Sequence, residues 1–350
     1  MLINNYRLSD YIASRDNNYN LIRFLAALSV LISHSYPLFY GDPGTEPLKK
    51  ITGKSLGSIA VDIFFLTSGF LIIASFVKRK SAINYLWSRA IRIFPALWVA
   101  LIITLILIIP LSHPTTFQSI LFSSDATNYL LKNSILIARI EHTIPGVFNE
   151  TPYQNAINGS LWTLPWELYC YLAIAIGISV LTRVAETSWR LIYTSGVLVV
   201  FFYCLSIDFL ELESSIILNI VFMFYIGSVF YLNSKRVILN PVIFSLFIAL
   251  LATNFLYTKT ATIYFLTAPY ILFYLAYIPK GRIRLFNRFG DYSYGVYIYA
   301  FPIQQLIIQC FPNITFNQYI LTCSAITIAL AWLSWNLVEK NALKLKNYVK

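Results

Sequence analysis

Long apolar runs, broken by short charged or proline-bearing stretches, dominate the pattern of this chain. They predict membrane-length helices near 21–40, 58–77, 93–111, 161–181, 191–207, 214–232, 238–256, 261–278, 291–311 and 317–338. The expected fold is all-α: a polytopic integral membrane protein with about ten transmembrane helices in a single domain over 1–350. The one long connection, roughly 112–160, mixes prolines and polar residues with an apolar patch at Leu130 to Ile140. Loops of that length usually serve as lids or binding elements. No internal repeat divides the chain into the inverted halves of a transporter. The polar start, Met1 to Asn20, leads into a full-length span, so no cleavable signal is expected.

Composition agrees with a membrane solvent. Of 350 residues, 58% are hydrophobic and 12% charged, whereas soluble domains carry about a quarter charged residues. The net charge of +11 could suggest nucleic acid, but that function needs a basic groove with exposed aromatic residues. Here the aromatic residues lie inside the apolar runs, and the charge reads as topology. With a cytoplasmic N-terminus, Lys78-Arg79-Lys80, Lys235-Arg236, Lys280 to Arg288 and Lys340 to Lys350 all fall inside. The outer side keeps Lys49, Lys50, Lys54, Lys132, Arg139 and Lys259 out of 26 Lys and Arg residues. That asymmetry fits the positive-inside rule and predicts cytoplasmic termini at both ends. Cys170, Cys204, Cys310 and Cys323 sit in apolar segments without metal-site spacing. They read as small core residues, and no metal is expected.

Ionisable groups within the hydrocarbon are costly and raise a question of function. Arg23 and His34 share the first span, eleven positions apart, which is about three helical turns and ~16 Å. Both therefore face the same way. The plain alternative is a snorkelling arginine and a histidine hydrogen-bonded in the bundle. Asp62 follows Gly57-Ser58-Ile59-Ala60-Val61 near the outer end of the second span, and Glu167 closes Ser160-Leu161-Trp162-Thr163-Leu164-Pro165-Trp166-Glu167 in the opening turns of the fourth. A carboxylate beside His34 would fix its tautomer and raise its basicity, as a general base requires. Glu167 could instead be a carboxylate favoured by a helix N-terminus. Arg89 and Arg92, three apart at the opening of the third span, could clamp a phosphate, or simply anchor that end in the cytoplasm.

These blocks resemble the acyltransferase-3 family. The resemblance rests on Arg23 and His34, on the run Val61 to Phe70, on Arg89-Ala90-Ile91-Arg92-Ile93-Phe94-Pro95, on Ser160 to Glu167, and on Ser293-Tyr294-Gly295-Val296-Tyr297. In that order they cover nearly the whole chain. The resemblance implies a bacterial inner-membrane enzyme that acetylates surface glycans, such as lipopolysaccharide O-antigen or exopolysaccharide, from cytoplasmic acetyl-CoA. It further implies His34 as the catalytic histidine, with Arg23 as its motif partner. Arg89 and Arg92 would contact the acyl-CoA phosphates, Asp62 and Glu167 would be acidic positions of the site, and Glu339 another. Trp162, Tyr294 and Tyr297 lie within the matching blocks and are further candidates. Three features depart from the pattern. Ala300 stands before Phe301-Pro302 where many members have histidine. Asn341 stands where proline is frequent, and the chain ends at Lys350 without an esterase-like extension, so it is expected to act alone or with a separate partner. Whether His34 acts as base or carries the acyl group remains open here. A glycan flippase and a non-catalytic scaffold are the rival functions.

Overall fold

The computed structural model describes residues 6–14, 16–79, 81–137, 139–185, 187–210 and 212–347. Met1, Lys80 and Lys350, named above, lie outside the described residues. Among those described, the apolar runs coincide with helices α1 (Tyr19–Tyr40), α2 (Leu56–Arg79), α3 (Ala82–Ile103), α4 (Thr163–Val184) and α5 (Val197–Leu210). There follow α6 (Ile216–Leu232), α7 (Pro241–Thr253), α8 (Ala261–Tyr277), α9 (Ser293–Cys310) and α10 (Phe316–Ser334). The chain is a mostly helical, multi-pass membrane protein. Among the described residues, seven helical stretches can cross a membrane by length and composition, or eight when one bent pair counts as a span. The apolar runs suggested ten. The difference arises at three helices: α6 is apolar but has 17 residues, the chain bends 84° between α8 and Arg282–Arg288, and α9, with its Gln304-Gln305 pair and tyrosines, is not among the stretches apolar enough to qualify.

Local sequence sets the helix ends. Ser81 caps α3, its Oγ accepting from the Asn84 N–H at 3.3 Å. This helix therefore begins at Ala82, well before the apolar run near 93, because the two arginines interrupt hydrophobicity without interrupting helix. Beyond Ile103 it passes through a π-helical turn, Thr104–Ile108, into Ile109–Ser112. Pro110 cannot donate a backbone hydrogen bond, and a widened turn absorbs that loss. At the closest helix approach, a Cβ on Gly69 would lie 1.8 Å from the Phe224 carbonyl oxygen, and one on Gly227 would lie 2.1 Å from that of Leu66. Glycine at both positions lets α2 and α6 touch backbone to backbone.

The bundle has two chemically distinct ends. At one, Tyr6–Arg7 pairs antiparallel with Ile238–Leu239, Asn18 Nδ2 donates to the Leu275 and Pro279 carbonyls at 2.9 Å each, and Trp87 Nε1 donates to the Leu345 carbonyl at 3.0 Å. The N-terminal segment, the turn at 233–240, the loop after α8 and the end of the chain thus gather on the basic side. At the other end, Gly41 closes α1 with φ 75° and meets the Pro152 backbone of the long connection. That connection folds into Phe117–Leu121, Ser124–Ile135 and an ordered return. Its return is fastened to α9: Asn158 Nδ2 donates to the Ile298 carbonyl at 2.9 Å, and Gln305 Nε2 to those of Tyr153 and Ala156 at 2.8 and 2.7 Å. Cys170, Cys204 and Cys323 are buried as expected, whereas Cys310 is exposed.

Candidate active site

His34 lines a cavity of about 410 Å³ together with Asp62, Lys54, Glu46, Trp162 and Tyr297. Its ring is fixed from two sides. Phe301 meets it edge-on, with ring centroids 5.4 Å apart, and Ser160 Oγ lies 3.5 Å from Nδ1. Ser160 is itself held in a 3₁₀ turn, Gly159–Trp162. Asn158 Oδ1 accepts its backbone N–H at 3.1 Å, and Tyr297 donates to its carbonyl at 2.6 Å. When Nδ1 carries the proton and donates to Ser160, Nε2 keeps its lone pair for a substrate hydroxyl. Asp62 is already engaged, since its Oδ2 accepts from Tyr264 OH at 2.8 Å and Lys54 Nζ at 3.3 Å.

Toward the basic end, Arg23, Glu167, Ser293, Tyr294 and Tyr297 line a much tighter space of about 30 Å³. Val61 and Tyr297 belong to the walls of both spaces. Glu167 accepts from Ser68 Oγ at 3.1 Å and from Tyr171 OH. Arg23 stacks over Phe64, 5.0 Å from the ring centroid, and donates to Thr67 Oγ1 at 3.4 Å. Its Nε lies 3.9 Å from Asp291 Oδ2 and is buried without a hydrogen-bond partner. Arg92 pairs with the same carboxylate oxygen. The other oxygen of Asp291 accepts from Ser293 Oγ and, at 3.3 Å, from the Ser293 N–H, so one carboxylate joins α1, α3 and the start of α9. Glu339, buried in a π-helical turn after α10, accepts from Ser334 Oγ at 2.9 Å. Tyr294 donates to the Ile93 carbonyl at 2.9 Å, tying α9 to α3.

A family model described as "Acyltransferase domain" matches residues 16–336. The chain belongs to the acyltransferase-3 family. It is 30% identical to an "O-acetyl transferase" of Shigella phage Sf6, over 94% of this chain and 96% of the relative. It is 24% identical to "Nodulation protein 10" of Rhizobium leguminosarum bv. viciae, over 97% and 96% respectively. "Acyltransferase MdmB" of Streptomyces mycarofaciens is 33% identical over 44% of this chain and 37% of its own length. No solved structure matches.

The geometry of this acyltransferase regroups the residues expected from sequence. His34, Asp62 and Trp162 share the large cavity, while Arg23, Glu167 and Tyr294 share the small one. Glu167 is therefore not the carboxylate partner of His34; α4 turns it toward Ser68 and Tyr171, and Ser160 takes the place beside the imidazole. The sequence sets Asp62 near the outer end of the second span and Glu167 in the opening turns of the fourth, but position along a helix does not say which way a side chain faces. Arg92 does not form its clamp through Arg89 alone, since Asp291 couples it to Arg23 from another helix, and Arg89 Nε donates to Ser88 Oγ at 3.2 Å. Asp291 escaped the sequence reading. Its signal was an acid between a basic loop and an apolar run, at the position that starts a helix.

Proposed function

We propose that this acyltransferase is an O-acetyltransferase of the bacterial inner membrane. It would take acetyl from cytoplasmic acetyl-CoA at the Arg92 end and deliver it to a hydroxyl of a cell-surface glycan, an O-antigen or exopolysaccharide unit, in the His34 cavity. The observation that carries this reading is the pairing of chambers along α1. Its one polar face presents Arg23 to a tight, ion-paired pocket and His34 to a roomy one, and Val61 and Tyr297 wall both. The basic segments gathered at the Arg23 end support ten crossings with both termini cytoplasmic. The name of the phage relative supports acetyl as the group and oxygen as the acceptor atom.

In this mechanism Arg92, Arg89 and Arg23 bind the phosphate-bearing donor, where guanidinium forks suit phosphate oxygens. Its thioester arm enters the narrow space beside Glu167 and Tyr294. His34 Nε2 removes the proton of the glycan hydroxyl, with Ser160 holding the tautomer. The oxygen attacks the thioester carbonyl, the carbon–sulfur bond breaks, and the sulfur leaves toward the donor side as the free thiol, carrying the proton that the His34 imidazolium gives back. Trp162 offers an apolar face to the sugar, and Asp62 keeps Lys54 and Tyr264 fixed at the cavity wall. The test is direct. Purified protein in lipid nanodiscs should consume acetyl-CoA only with a glycan acceptor present, and mass spectrometry should find an O-acetyl ester on that acceptor. A protein that binds or moves glycan without consuming donor would refute the reading and favour transport.

A further inference from the structure

The wall of the His34 cavity carries charges that the acyl-transfer chemistry does not use. Lys49 and Lys54 line it, and Lys259 lines an adjoining groove of about 160 Å³. The two spaces share Gly53, Lys54, Ser214 and Asn219, so they lie side by side on a common wall. Under the proposed topology this is the side where lysine is scarce, yet three of its few basic residues meet here.

The carboxylates nearby offset part of that charge, chiefly at Lys54, which pairs with Asp62 at 3.3 Å. Glu46 Oε1 accepts the Leu56 N–H at 2.6 Å, and Asp62 is occupied by Lys54 and Tyr264. Glu213, beside Ser214, is exposed and lines neither space. Lys49 and Lys259 take part in no ion pair among the described residues.

Lys259 is also presented by dedicated backbone. It has φ 52°, a left-handed conformation uncommon outside glycine, and such outliers mark sites where surrounding structure enforces strain. The enforcing residue is Asn254, buried at the end of α7. Its Oδ1 accepts from Thr258 Oγ1, Thr260 N and Thr260 Oγ1 at 2.7, 2.8 and 2.9 Å, and its carbonyl accepts the Lys259 N–H at 2.7 Å. Opposite stands Gly53, also left-handed with φ 77°; a Cβ there would lie 3.8 Å from Lys259 Cδ. The lysine stem therefore runs along Gly53 toward the shared wall.

We infer that the groove is an anion subsite, and that the acceptor is a glycan bearing a phosphate or a carboxylate held by Lys49 and Lys259 while its neutral hydroxyl reaches His34. The inference rests on the acceptor reading above. A phosphate could come from a lipid-diphosphate anchor and a carboxylate from an acidic sugar; both present oxyanions to the same ammonium groups, in a cleft that focuses their field.

Steady-state acetylation in nanodiscs of neutral lipid separates the cases, with three acceptors: a neutral oligosaccharide, the same oligosaccharide carrying a uronate, and the same oligosaccharide on a polyprenyl diphosphate. Wild-type protein should show a lower acceptor KM for at least one anionic form, and that form identifies the source. The Lys49→Gln/Lys259→Gln double variant should raise that KM about tenfold, roughly the loss of one modest charge contact, leaving kcat and the acetyl-CoA KM unchanged. The Lys49→Arg/Lys259→Arg variant should restore it. Equal KM for neutral and anionic acceptors, or no change in the double variant, overturns the subsite and leaves glycan acetylation standing. Failure of wild-type protein to acetylate any of the three overturns both.

Discussion

The two chambers along α1 are built on opposite principles. Around Arg23 the space is small and its charges are spent on one another: Arg23 and Arg92 converge on Asp291, and Glu167 is held by Ser68 and Tyr171. Around His34 the space is more than tenfold larger, and the imidazole, packed edge-on against Phe301, keeps one long polar contact, to Ser160. A preformed ion-paired pocket suits a ligand of fixed chemistry, such as a nucleotide carrier, whose phosphates can exchange with the Asp291 carboxylate. A roomy cavity with an uncommitted base suits a bulky acceptor that brings its own shape. Specificity for the donor would then lie in protein geometry already made, and reactivity would lie in the one group left free.

The sharpest way to break that contrast is His34→Ala. It removes the group whose ordinary pKa lies nearest neutrality, so acetyl transfer should fall about 10²-fold to 10⁴-fold, as general-base loss usually does. Donor binding should be unchanged, because His34 lies outside the Arg23 pocket. Near wild-type transfer by monodisperse His34→Ala protein would remove it from the chemistry.

Asp291→Ala addresses the other chamber and should act chiefly on structure. It strands two guanidinium groups and removes the N-terminal carboxylate of α9. Breaking a buried pair costs about 3–5 kcal/mol, so detergent-solubilised protein should melt earlier and the donor KM should rise. Asp291→Glu should recover part of both. Unaltered stability and donor KM in Asp291→Ala would show that the arginines are ordered without it.

The smallest effect is expected in the long connection. His113 Nε2 accepts the N–H of Phe148, a residue with φ 53°, at 3.0 Å. Burial lowers the His113 pKa, opposed by Glu150. An imidazole neutral in the folded state contributes its stability in full above the unfolded value near 6.5. That contribution declines as pH falls below about 6.5 toward the folded pKa, because the unfolded chain binds the proton first. Hydrogen exchange over 113–148 should quicken through this window in wild type, and His113→Gln should flatten the profile. A pH-independent wild-type profile would rule out this fastening.

Much of this was legible in the chain. Apolar runs located the helices because hydrocarbon demands about 20 uninterrupted apolar residues. The eleven-residue spacing of Arg23 and His34 gave their common face, and the two chambers do share walls. Lost were the features that depend on which way neighbouring helices face. Asp291 meets Arg92 across 199 residues of sequence, and no local pattern announces such a pair. Glu167 was expected as an acidic position near His34, and its carboxylate instead accepts from Ser68 and Tyr171. The start of α3 was missed because its arginines look like a membrane boundary, whereas Asp291 lets Arg92 enter the bundle as part of a pair.

In the proposed enzyme, donor and acceptor approach from opposite ends of α1. Oriented proteoliposomes test it, with acetyl-CoA confined to one face and glycan to the other. O-acetylated glycan should form when acetyl-CoA is supplied on the face that carries Lys235 and acceptor on the face that carries Lys54, and none should form when the two are exchanged. Product formed with both substrates restricted to the Lys54 face would contradict it.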